Sequence, residues 1–92
     1  MQSILQSEKE CYVTGRTSPL HKHHIYFGDP LRQISEEHGF WVWLVPELHN
    51  MSSRGVHFDH EFDLDLKRSC QAKFEETHSR QEFMALIGRS YL

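Results

Sequence analysis

Apolar and polar positions alternate differently along the 92 residues, and the changes of period divide the chain into short elements. Residues 1–9 are polar and aperiodic and are expected as a flexible N-terminal tail. Cys11-Tyr12-Val13-Thr14 reads as a short strand, stopped by Gly15 and the turn-rich Arg16-Thr17-Ser18-Pro19. Leu20 to Phe27 is extended in character and ends at Gly28-Asp29-Pro30, after which Leu31 to His38 has the spacing of a short helix closed by Gly39. Phe40-Trp41-Val42-Trp43-Leu44-Val45, rich in aromatic and β-branched residues, is the clearest strand. Pro46 ends it and suits the first turn of a helix carrying Glu47, Leu48 and His49. Ser52-Ser53-Arg54-Gly55 reads as a turn.

Two further helices follow. From Asp59 to about Thr77, Phe62, Leu66, Cys70 and Phe74 recur every four residues as one apolar stripe, with Asp63 and Lys67 placed to pair on the outer face. Ser79-Arg80-Gln81-Glu82 has the form of a capping box, and Phe83, Met84, Leu86 and Ile87 supply the core face of a last helix closed by Gly88. The predicted order is strand, strand, short helix, strand and three helices, an α+β fold.

At this length, with 38% hydrophobic residues, one small domain with a thin core is expected over residues 10–92, its core about 11–58 and its C-terminal helices about 59–90. Ten Lys and Arg against thirteen Asp and Glu leave a net charge of −3, which argues against a protein held by non-specific phosphate attraction. A local basic stripe can still steer a polyanion. Cys11 and Cys70 belong to no C-x-x-C pair and read as reduced, partly buried thiols. The first ten residues lack the basic and apolar stretches of a signal peptide, and nothing downstream approaches 18 apolar residues, so a soluble, cytoplasmic protein without membrane contact is expected.

Eight histidines change the picture, because His21-Lys22-His23-His24 puts three of them in four residues and His49 follows the next apolar run. Imidazole is the commonest protein ligand for borderline divalent metals and titrates near neutrality, so one cluster can supply both a ligand and a base. Hydrolysis of a phosphodiester needs both, together with positive charge on the phosphate oxygens.

On these residues the chain resembles the HNH endonucleases, the His-Me finger or ββα-metal nucleases, over roughly residues 11 to 58, and the whole looks like the small HNH proteins of bacterial phages. In that family a His-His or Asp-His pair ends one strand, and a second strand runs into a helix whose early histidine binds metal. The resemblance implies a small ββα-metal core with a β-hairpin, a second strand leading into a helix, and two additional C-terminal helices. It implies His24 as general base and His23 and His49 as ligands of one divalent ion (Mg, Mn, Zn or Ni); His57 is the nearest candidate for a third ligand. Lys22, Arg16, Arg32 and Arg54 flank this site and are the candidates for gripping a nucleic-acid backbone, with DNA the expected polymer. A homodimer through the aromatic strand, or a protein partner, is a further expectation.

Two departures from the family pattern and one constraint of strand geometry shape the reading. Ser53 stands where a second helix ligand is often found, and His57 substitutes only if the chain turns back at Gly55. The family Asn that orients the base has no match: Asn50, the only Asn, lies on the wrong side of the strand, leaving Glu36, His38 or a backbone carbonyl for that role. Adjacent strand residues face opposite sides, so His23 and His24 share a site if the strand ends or bulges there, and otherwise His21 and His23 are the co-facial pair. Two other readings stand beside the nuclease. One is a bracing zinc site, although such sites are usually rich in cysteine. The other is a catalytically inactive HNH-fold binding module or phage-encoded inhibitor of a host nucleoprotein.

Overall fold

The computed structural model describes residues 1–92, with elements in the order β1 (His21–His24), α1 (Leu31–His38), β2 (Trp41–Leu44), α2 (Pro46–His49), α3 (His60–Phe74) and α4 (Arg80–Ile87). β1 and β2 form an antiparallel pair in the register His21 to Leu44, Lys22 to Trp43, His23 to Val42 and His24 to Trp41. The architecture is α+β, and β2 runs directly into α2 through Val45, with Pro46 in the first turn where its missing N–H costs no hydrogen bond.

The connection between the strands carries α1, clasped to the sheet by one serine. Ser35 is fully buried, and its hydroxyl accepts from the Tyr26 N–H at 3.2 Å and donates to the Tyr26 carbonyl at 2.7 Å. Tyr26 in turn donates its phenol to the Lys67 carbonyl at 2.6 Å, tying β1 to α3. Its ring meets Phe40 and Phe83 edge-on in a core that also takes Ile25, Val42, Leu44, Leu66, Cys70 and Phe74. Gly39 ends α1 at φ 76°, and a Cβ there would lie 2.2 Å from the Gln2 carbonyl oxygen, so both conformation and close approach require glycine.

Residues 1–9, read from the sequence as a flexible tail, lie along the outer side of β2. The Ile4 N–H donates to the Gly39 carbonyl at 3.0 Å, Ser3 Oγ to the Trp41 carbonyl at 2.6 Å, and the Trp43 N–H to Gln6 Oε1 at 2.7 Å. Ile4 and Leu5 pack on the core. The aromatic strand expected to be exposed for dimerisation is consequently covered. Trp41 is 9% exposed, Lys22 lies 4.1 Å over its ring, and Lys9 lies 4.7 Å over Trp43.

Four other expectations are corrected. Cys11-Tyr12-Val13-Thr14 is a turn rather than a strand, closed by the Cys11 N–H to Arg16 carbonyl and Gly15 N–H to Cys11 carbonyl bonds, with one bond to β2 from the Tyr12 N–H. α3 ends at Phe74, because the chain tightens into a turn over 75–77 and Ser79 restarts it with the capping box. The Asp63 and Lys67 pair closes at 2.8 Å, yet both side chains are only 14% exposed. Lys67 lies over Phe27 and Tyr91, so the pair sits between α3, the segment after β1 and the C-terminal residues rather than on an outer face. Met84 is exposed, leaving Phe83 and Ile87 as the buried face of α4. No helix is long and apolar enough to cross a membrane.

Candidate metal centre

His23, His49 and His57 come from three different segments, and one ring nitrogen of each lies within 4.8 Å of the others. His23 projects from β1 and is 2% exposed. His49 is the last residue of α2. His57 arrives on the chain that turns back after α2, where the Val56 N–H donates to the Leu48 carbonyl at 2.8 Å and the His57 N–H to the His49 carbonyl at 3.3 Å. Gly55 allows that return: a Cβ there would lie 2.6 Å from the His49 carbonyl oxygen, so the strand of loop can approach α2 only with glycine at this position.

The ring centroids are 4.8, 5.2 and 5.3 Å apart, close to an equilateral triangle. His49 Nε2 and His57 Nε2 are separated by 3.1 Å. Two imidazole nitrogens bound to one ion at ~2.0–2.1 Å stand about 2.9 Å apart at a right angle and about 3.4 Å apart at the tetrahedral angle. The observed spacing falls between these limits. His23 Nε2 is buried without a hydrogen-bond partner, an arrangement that costs ~1–3 kcal/mol unless a cation meets it. These two features fit a divalent ion.

Electrostatics favour the metal-binding form of the rings. Burial, with the neighbouring imidazoles adding to it, pushes His23 down to about 3 and His49 down to about 4. Both are therefore neutral at pH 7 and need lose no proton to bind an ion. Cys11 and Cys70 are buried in the core and neither belongs to the triangle. Three nitrogen donors without thiolate would leave a position of a bound zinc ion free for water or substrate, as catalytic rather than bracing zinc sites do.

Strand alternation does place His21 on the side of His23, since both rings pack against His49. His21 stands beside the triangle, its Nδ1 3.1 Å from His49 Nδ1. Were His49 Nε2 given to a metal, Nδ1 of that ring would keep its hydrogen and donate it to His21. His24 lies at the end of β1, where the strand stops and its ring can reach the rim of the same cleft. That cleft, about 250 Å³, is lined by Lys22, His23, His24, Phe27, Arg32, His49 and His57. His24 and Arg32 also line an adjoining polar groove with Gly28, Asp29, Gln33 and Glu36.

The four basic candidates separate into two pairs. Lys22 and Arg32 line the cleft. Lys22 is engaged by Glu36 at 3.3 Å, whereas Arg32 has no carboxylate partner. Arg16 pairs with Glu47 at 3.1 Å on the outer side of α2, and Arg54 lies near the same carboxylate, so neither faces the cleft. Glu47 accepts from its own N–H and from Arg16, and both hold its carboxyl below the usual range. Sequence reading did not single out Phe27, Asp29 or Gln33 as lining residues. The signals available were the Phe27-Gly28-Asp29 turn leading from β1 into α1 and the i, i+3 spacing of Gln33 and Glu36, which puts both on one face of α1.

No family model matches the chain, and no curated protein or solved structure does either.

Proposed function

We propose that the protein is a metal-dependent endonuclease of the HNH, ββα-metal type that hydrolyses phosphodiester bonds in nucleic acid, DNA before RNA. The observation that carries this reading is the triangle of His23, His49 and His57 with a fourth imidazole, His24, on the rim of the same cleft. A divalent ion bound there supplies positive charge for the phosphate oxygens and the leaving group. His24 takes the proton of the attacking water, whose oxygen forms the new bond to phosphorus as the opposite ester bond breaks. Arg32, free of carboxylates, pairs with a phosphate oxygen and orients the strand across the cleft.

The inactive binding module is the second reading, favoured by the net charge of −3 and by Asp29 and Glu36 in the groove beside His24. Plasmid nicking by metal-stripped protein, with Mg, Mn, Ni or Zn restored singly, separates the two. The nuclease reading expects nicking that returns with at least one metal and is lost in His24→Ala while the variant stays folded. Absence of nicking with every metal, from protein that still binds one, supports the binding module.

A further inference from the structure

His24 carries two ring nitrogens, and only one is available to the cleft. Nε2 lies 2.8 Å from Glu36 Oε1. An ionised carboxylate only accepts hydrogen bonds, so Nε2 must hold a hydrogen, and in the neutral ring it is Nδ1 that carries the lone pair a base requires.

Glu36 is itself held from two further directions. Lys22 Nζ approaches its two oxygens at 3.4 and 3.3 Å, and Trp41 lies 4.1 Å beneath that ammonium. Lys22 and His24 share one strand face by period two, and Trp41 is the register partner of His24, so β1, β2 and α1 converge on one carboxylate. The neighbouring residue strengthens the arrangement: Ser35 clasps Tyr26 through both its N–H and its carbonyl. That clasp fixes the approach of α1 to β1 one residue from Glu36 and two from His24. A side chain 46% exposed gains little stability from such an ion pair, so the convergence is poorly explained as a brace.

We propose that Glu36 is the positioning residue for His24, fixing its ring orientation and its Nε2–H tautomer, and so fills the role that an Asn has in the HNH pattern. Its value to catalysis rests on the nuclease reading above, whereas the tautomer does not.

The test combines long-range ¹H–¹⁵N spectra of the His24 ring with nicking kinetics in wild type, Glu36→Ala and Glu36→Gln. Wild type is expected to show hydrogen on Nε2 alone. Glu36→Ala should lose that preference and lower kcat by about 10- to 100-fold, with KM and metal affinity unchanged. Glu36→Gln, whose amide oxygen still accepts, should retain the tautomer and recover most of the rate. An unaltered His24 tautomer in Glu36→Ala would overturn the proposal, as would an unaltered kcat in an active enzyme. Should wild type fail to cut with any of the metals supplied while Glu36→Ala still scrambles the tautomer, the positioning role stands and the nuclease reading falls.

Discussion

His23 concentrates the cost and the use of the site in one side chain. It is buried, its Nε2 is unsatisfied, and burial drives it down to about 3, against about 6.5 for a histidine in an unfolded chain. Between those values the unfolded state holds the extra proton, so stability of the metal-stripped protein falls as pH drops from about 6.5 toward 3, by at most ~1.4 kcal/mol per pH unit from this residue. His49, depressed to about 4, adds in the same direction. Urea unfolding at a series of pH values should therefore show a steep loss on the acid side, much reduced in His23→Phe; a flat profile over that window would contradict the burial argument. His21 acts at the same scale. Through Nδ1 it accepts the hydrogen that His49 keeps when it binds metal, so His21→Ala is expected to weaken metal affinity by about 10- to 100-fold, read by calorimetric titration, without changing the number of ions bound.

At the scale of elements, the site depends on how the chain leaves α2 and returns. Gly55 touches the His49 carbonyl, and that carbonyl receives the His57 N–H. Gly55→Ala must push the loop away from α2, at a cost on the order of 1–3 kcal/mol, and draw His57 out of the triangle. Metal affinity should fall with stability in that variant, and unchanged binding would place the third ligand elsewhere. The same return shows what the sequence made legible. The bounds of α1, the run of β2 into Pro46 and the Ser79 capping box rest on local chemistry, and all three are found where that chemistry puts them. His23 was legible because three imidazoles in four residues are unusual, whereas His49 and His57 were legible only through the family resemblance, as the helix-borne ligand and as the nearest substitute for a further one. Which of His21, His23 and His24 faces which neighbour was not, since it depends on where β1 stops. The turn at 11–14 was missed because a tetrapeptide with β-branched and aromatic residues has strand propensity, while it makes a single backbone hydrogen bond to the sheet, from the Tyr12 N–H to the Trp43 carbonyl. The docking of residues 1–9 was missed because its hydrogen bonds run to residues more than thirty positions away and leave no period in the sequence.

Taken whole, the molecule is a small core of thirteen buried residues from which the metal candidates form one edge. A domain of this size buries little apolar surface, so an ion joining β1, α2 and the returning loop should add visibly to stability. At about 100-fold excess of metal over Kd, the gain is ~2.7 kcal/mol, or a rise in melting temperature on the order of 10 °C. The rise should be absent in His49→Ala.

Titration of metal-stripped protein with zinc reads directly whether this edge holds an ion. One equivalent should be bound by wild type and by His24→Ala, with binding lost in His23→Ala and His49→Ala. Zinc bound as tightly by His49→Ala as by wild type, or by neither, would contradict a metal centre at His23, His49 and His57.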